Sequence, residues 1–272
     1  MDMNMKLIRT NTIDNVELQG MLVENEPRAQ NLVLHIHGTW GNFYGNPFID
    51  YFSREYPLIG YSFLSANMRS HDDGSISEKF SDCLLDIGQW VTYARERNYK
   101  RIILQGHSLG ALKAVYFMNN QGDPSIKKLI LLSPFDSIAF YCKGNLKARE
   151  RILSITKNVM KVSPSEIVPK EVWSTWLISA GTLYDILKED TVYDVFPFRN
   201  GNLTGSLLSR IDIPVLAAIG GDDFAAYPNP KTEYEELSML PSVNSIFISG
   251  APHNFAGFED QLLKSILEWL RL

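Results

Sequence analysis

The pentad Gly106-His107-Ser108-Leu109-Gly110 lies between an apolar run at residues 101–105 and a helix-patterned run at residues 109–117. No other feature constrains the chain as strongly. A buried strand has to turn into a helix within a few residues, and glycines must flank the turn because β-carbons there would collide with the facing backbone. Ser108 at the apex is then strained and exposed above the edge of a sheet. It also sits at a helix N-terminus, where free N–H groups and the helix dipole favour developing negative charge.

The rest of the pattern accommodates this turn. Residues 32–36, 61–66, 101–105, 128–132, 214–219 and 244–248 read as strands buried on both faces, and residues 5–8 and 16–23 as an opening antiparallel hairpin. Phe80, Leu84, Ile87, Val91 and Ala94 recur at helical spacing, with Ser75 and Glu78 placed as a capping box. Alternation of strand and helix predicts an α/β fold with a mostly parallel, doubly wound sheet and right-handed crossovers. Residues 137–210 break the rhythm: no strand pattern occurs there, but Trp173, Trp176, Leu177, Ala180, Tyr184 and Leu187 follow a helical one. An unstructured loop of that length is disfavoured, so the expectation is a core of residues 1–136 and 211–272 with a helical cap, residues 137–210, inserted.

With 272 residues, 45% of them hydrophobic and 21% charged, the chain has material for one large core. A net charge of −5 without a dense Lys/Arg run argues against nucleic-acid or membrane-surface partners. The first ten residues lack the apolar stretch of a secretory signal, and no segment is apolar long enough to span a bilayer, so a cytoplasmic location is expected. Cys83 and Cys142 read as free thiols.

A serine hydroxyl needs a base within hydrogen-bond reach and a third group to fix the base's tautomer. Of the five histidines, His253 follows the last strand pattern, at the sheet edge where such folds place their sites. His107 is inside the turn, with its side chain expected to point away from the nucleophile. His71 is in an early loop, and His35 and His37 share a strand face; two histidines without further ligands do not make a zinc site, so no metal is expected. The acid follows the strand at 214–219, where Asp222 and Asp223 compete; Asp223 is favoured, with Asp136 as an outside candidate. An oxyanion needs two fixed donors: Leu109 N–H, directly after the nucleophile, and Thr39 N–H in the loop His37-Gly38-Thr39-Trp40-Gly41.

With these residues in view, the chain resembles the α/β-hydrolase superfamily along nearly its whole length, through His37-Gly38, Asn67-x-Arg69, the Ser108 turn, Asp223 and His253. Residues 67–75 resemble that superfamily's N-x-R-G-x-G-x-S loop, with one extra residue and Ser70 in place of the first glycine. The stretch from His37 to Tyr44 is similar to cinnamoyl and feruloyl esterases and to some siderophore esterases. The resemblance implies an α/β-hydrolase fold and a cofactor-independent serine hydrolase acting on a small-molecule ester or thioester. Alternatives are a thioesterase, an acyltransferase, an amidase or a non-catalytic ligand-binding scaffold. Trp40, Trp173 and Trp176 are candidate pocket residues, with Tyr184, Phe196 and Phe198 as further possible lining.

Overall fold

The computed structural model describes residues 3–25 and 29–271, so residues 1, 2, 26–28 and 272, which the expected core boundaries include, lie outside the described residues. Strands β1 (Met3–Asn11) and β2 (Glu17–Asn25) form the antiparallel hairpin. They are followed by β3 (Asn31–Ile36), β4 (Tyr61–Ala66), β5 (Arg101–His107), β6 (Ile126–Leu132), β7 (Val215–Asp222) and β8 (Val243–Pro252). These strands correspond to the hairpin and the apolar runs of the sequence. They form one sheet in the order β1-β2-β4-β3-β5-β6-β7-β8, antiparallel at its first two junctions and parallel thereafter.

The central strands are mostly apolar because both faces are covered. On β3, Leu32, Leu34 and Ile36 join the core under α2 (Cys83–Glu96) and α3 (Leu109–Asn120), while Val33 joins the core under α1 (Pro47–Leu58) and α8 (Glu259–Leu270). This is the period-two alternation of a pleated strand with no solvent side. Strand β3 has β4 on one side and β5 on the other, and Ile36 pairs with both Ala66 and Gly106. The strand ends are therefore level where the winding reverses, which opens the crevice that such sheets use for ligands.

Between β6 and β7 lie α4 (Ser137–Tyr141), α5 (Arg149–Met160) and α6 (Ala180–Leu187), with α7 (Pro230–Ser238) following β7. Ile138, Tyr141, Leu183, Phe196 and Phe198 of this interval belong to the same core cluster as α2 and α3. The helix expected from Trp173 onward begins only at Ala180. Ser179 ends the preceding turn: its side chain accepts the Thr182 N–H, and its backbone bridges to Ile167. Trp173 and Trp176 reach the helical spacing by packing on Phe140 rather than by being helical. The capping box is also not formed, because α2 starts at Cys83 and Ser75 and Glu78 lie in and beside a short 3₁₀ segment with other partners. Among the described residues, no helix is long and apolar enough to cross a membrane.

Helix α3 packs directly on the end of β3 at Gly110, where an added β-carbon would lie 2.3 Å from the Ile36 carbonyl oxygen and 2.6 Å from that of His37. Gly110→Ala is expected to cost about 3 kcal/mol or more, read as a lower urea midpoint or insoluble protein. Gly88→Ala, inside α2, would meet the end of the Gln121 side chain at 3.3 Å and Phe117 Cε2 at an ordinary contact distance of 3.9 Å. It should be neutral or stabilising by up to about 1 kcal/mol.

Candidate active site

The β5–α3 turn places Ser108 at φ 55°, ψ −125°, a backbone conformation that L-residues seldom adopt. Neighbouring backbone holds it there. The Ser108 N–H donates to the Leu132 carbonyl at 2.8 Å, and an added β-carbon on Gly106 would lie 2.2 Å from the Gly110 carbonyl oxygen. Ser108 opens onto a cavity of about 330 Å³ at the crevice between the β3 and β5 ends.

His253, directly after β8, lines the same cavity, and its Nδ1 lies 2.7 Å from Asp223 Oδ1. Burial raises the Asp223 carboxyl, but the His253 hydrogen bond and charge, the Ala225 N–H and the Ser133 hydroxyl outweigh it, and the net shift is downward. The ionised carboxylate can only accept, so Nδ1 carries the proton and Nε2 is left as the basic nitrogen. The His253 carbonyl is anchored by Ser133 Oγ at 2.9 Å and His107 Nε2 at 2.8 Å. Among the described residues no hydrogen bond joins Ser108 Oγ to His253; catalytic hydrogen bonds of free enzymes are often long and tighten on substrate binding.

The competing carboxylates are engaged elsewhere. Asp222 is exposed at the end of β7, opposite Pro252. Asp136 caps α4 by accepting the Ala139 N–H and is ion-paired with Arg199 at 3.1 Å. Only Asp223 of these three has a hydrogen bond with His253.

Gly38 packs so closely that an added β-carbon would meet Ser108 Cβ at 2.7 Å, which brings the Thr39 backbone beside Ser108. Among the described residues, neither the Thr39 N–H nor the Leu109 N–H has a hydrogen-bond partner. The remaining histidines serve the scaffold. His37 Nε2 accepts the Met68 N–H at 3.0 Å, so its Nδ1 donates to the Gly38 carbonyl at 2.8 Å, and burial lowers the ring to about 3. His107 uses Nε2 to donate to the His253 carbonyl and is lowered to about 3, chiefly by burial and next by the neighbouring His253. His35, buried against Phe48 and Phe63, is also lowered by burial, and His71 pairs with Asp72 at 2.8 Å. Among the described residues no group of His, Cys, Asp or Glu could hold a metal ion.

Trp40 and Trp176 line the Ser108 cavity. Trp173 does not: it is buried on Tyr141, with ring centroids 4.7 Å apart, and borders a neighbouring depression instead. Phe196 and Phe198 are buried in the core, and Tyr184 faces α5, so these three leave the cavity as well. Sequence reasoning missed Phe135, Phe140, Tyr141 and Phe224, which also form the wall. Their signal was adjacency, since Phe135 precedes Asp136 and Phe224 follows Asp223 at strand ends. The Phe224 ring sits 4.9 Å from that of His253. Burial raises the Tyr141 phenol, only partly offset by hydrogen bonding with the Thr39 and Trp176 side chains. Among the described residues the lining carries no Asp, Glu, Lys or Arg.

Residues 69–257 match the family described as serine aminopeptidase, S33. Among the curated proteins none matches this chain in sequence. Solved structures that share its fold include these three. Est1E from Butyrivibrio proteoclasticus, bound to ferulic acid, is 17% identical over 97% of both chains, with a TM-score of 0.69. The siderophore hydrolase EstB from Aspergillus fumigatus is 12% identical over 98% of this chain and 97% of its own, with a TM-score of 0.71. The Pyrococcus furiosus esterase Pf2001 is 19% identical over 98% of this chain and 91% of its own, with a TM-score of 0.64.

The buried neutral histidines make stability depend on pH. Between about 3 and 6.5, the unfolded chain protonates His37 and His107 and the folded chain does not, so stability rises with pH across that window. Acidification below 6.5 should cost up to about 1.4 kcal/mol per pH unit for each such histidine. The urea midpoint is expected to fall between pH 7 and pH 5, and His107→Asn should flatten that dependence by about one proton's worth.

Proposed function

The chain belongs to the S33 serine aminopeptidase family of α/β hydrolases, and on that basis we propose that it is a serine hydrolase cleaving uncharged carboxylic esters through an acyl-enzyme. The observation that carries this reading is the His253–Asp223 pair at 2.7 Å, opening with Ser108 onto one cavity without charged lining.

In this mechanism His253 Nε2 takes the Ser108 proton as Oγ attacks the carbonyl carbon. The oxyanion is received by the unpaired N–H groups of Thr39 and Leu109, and Asp223 stabilises the imidazolium without taking its proton. Collapse of the intermediate expels the alcohol, which receives the proton held on Nε2. Water then attacks the acyl-serine by the same route and releases the acid. Thr39, Leu109, Ser108, His253 and Asp223 are the residues assigned to these steps.

The wall argues for the ester over the free-amine peptide in the family's description. An aminopeptidase has to neutralise the substrate's terminal ammonium, and burying an unpaired ammonium costs several kcal/mol. Here the wall offers Trp40, Phe135, Phe140, Tyr141, Trp176 and Phe224, with Asn42 and Asn46 as neutral polar groups and no carboxylate. Such a cavity suits a flat or aliphatic neutral acyl group. The ferulic acid in Est1E supports the same direction, since that protein's related fold holds an aromatic acid.

A fluorophosphonate probe is expected to label the wild-type protein and not Ser108→Ala; absence of label on folded wild type would sink the reading. On a panel of p-nitrophenyl esters and acyl-thioesters, the esters should turn over fastest, with alanine p-nitroanilide at least about 100-fold slower, because its amine must be desolvated unpaired. Asp223→Asn should lower kcat roughly 10⁴-fold while Asp222→Asn stays within a few-fold of wild type.

A further inference from the structure

Four polar side chains behind the oxyanion loop take no part in the chemistry above, and their connection to it gives them a role. The Trp40 N–H, directly after the Thr39 donor, donates to Ser75 Oγ at 2.8 Å. Ser75 Oγ in turn donates to the Ser70 carbonyl at 2.7 Å. Ser70 Oγ donates to Glu78 Oε1 at 2.9 Å and accepts from Lys113 Nζ at 3.0 Å, and Lys113 and Glu78 form a buried ion pair. Lys113 belongs to α3, the helix that starts at Leu109. Two sets of hydrogen bonds that meet at Ser70, one on its carbonyl and one on its hydroxyl, therefore link the helix that starts at Leu109 to the loop that carries Thr39.

We infer that Ser75 is a positioning residue for the oxyanion loop, holding the Thr39 N–H at the Ser108 site through Trp40 and braced from behind by Ser70, Glu78 and Lys113. The inference rests on the ester-hydrolase reading. Three observations support it. Trp40 is at φ 58°, a left-handed conformation unfavourable for a tryptophan, so the loop needs an external hold to keep that shape. Ser75 is buried, with 4% of its surface exposed, and both hydrogen-bonding roles of its hydroxyl are used, accepting from the loop and donating to the brace. The Lys113–Glu78 pair is buried at a desolvation cost that hydrophobic residues would not incur, which accords with its being kept for geometry rather than stability.

The same segment clamps the loop elsewhere. The Asp72 N–H donates to the Gly41 carbonyl at 3.1 Å, Asn42 Nδ2 to Asp72 Oδ1 at 2.7 Å, and the Phe43 N–H to Asn67 Oδ1 at 2.8 Å. These bonds fix the outer part of the loop, beyond Trp40. The peptide bearing the Thr39 N–H is held on one side at its Gly38 carbonyl, by His37 Nδ1 at 2.8 Å and the Gly41 N–H at 3.1 Å, and on the other side the Ser75 bond holds the Trp40 N–H of the following peptide. Loss of the Ser75 hydroxyl should thus leave the loop folded while loosening the Thr39 donor.

The test is Ser75→Ala, with Ser75→Thr as the conservative variant. Displacing a reacting or stabilising group by about 1 Å can cost about 100-fold, so kcat on p-nitrophenyl acetate is expected to fall about 10- to 100-fold. KM should stay within about twofold, because the ground-state carbonyl depends little on an oxyanion donor. An alkylboronic acid, which forms a tetrahedral anion on the serine, should bind weaker by a similar factor, and Ser75→Thr should restore most of both losses. Ser75→Cys, of similar volume but with a weak sulfur acceptor, is expected to lose kcat in the same direction and serves if the alanine variant does not fold. A folded Ser75→Ala or Ser75→Cys protein with wild-type kcat and boronate affinity overturns the inference. So does a loss that Ser75→Thr fails to restore or that falls on KM rather than kcat. Failure of the ester-hydrolase reading would look different: wild-type protein itself would escape the fluorophosphonate.

Discussion

The approach of α3 to the end of β3 is the contact on which the site depends. At Gly110 the helix backbone comes so near the Ile36 and His37 carbonyls that no side chain fits, and at Gly38 the returning loop comes as near to Ser108. Because the two backbones touch directly, Ser108 and the Thr39 and Leu109 N–H groups, to which we assign the attack and the oxyanion, are set by main-chain packing rather than by flexible side chains. The strain at Ser108 and Trp40 is the counterpart of this contact. Both have positive φ, and both are held by hydrogen bonds from elements that lie outside the turn itself.

Around this contact the molecule keeps charge at a distance. The buried rings of His35, His37 and His107 are neutral because desolvation disfavours their charged forms, and the cavity wall is largely aromatic, with neutral polar and aliphatic residues between the rings. The ionised Asp223 faces the cavity only through His253. In such surroundings, fixed N–H dipoles act on a developing oxyanion with little screening. Among the described residues the cavity wall holds no Asp, Glu, Lys or Arg that could serve as a counter-ion. The ion pairs near the site, Lys113–Glu78 and Arg199–Asp136, lie behind the wall and brace the segments that carry it.

The sequence made the sheet legible because each buried strand is a short apolar run between turn residues, and the doubly wound alternation leaves few ways to order them. Ser108 was legible because strand, glycine and helix meet within one pentad. The aromatic wall was not. Trp173 and Trp176 share a helical spacing, yet one is packed into the core and the other faces the cavity, and the helix begins after both because Ser179 caps it. Ser75 and Glu78 likewise fit a capping box locally, but each is engaged by a partner distant in sequence, Trp40 and Lys113.

By itself the sequence determined the fold class, the order of the chemical residues along the chain and the strand end at which each would lie, because these follow from local periodicity and from turn chemistry at glycine. Only the tertiary structure decided that Asp223 rather than Asp222 or Asp136 meets His253. It also decided which aromatic rings face the cavity and how Lys113 is linked to the loop after β3. Those outcomes depend on the direction in which a side chain leaves its backbone and on what competes for it across the fold, and neither is encoded in the spacing of neighbouring residues.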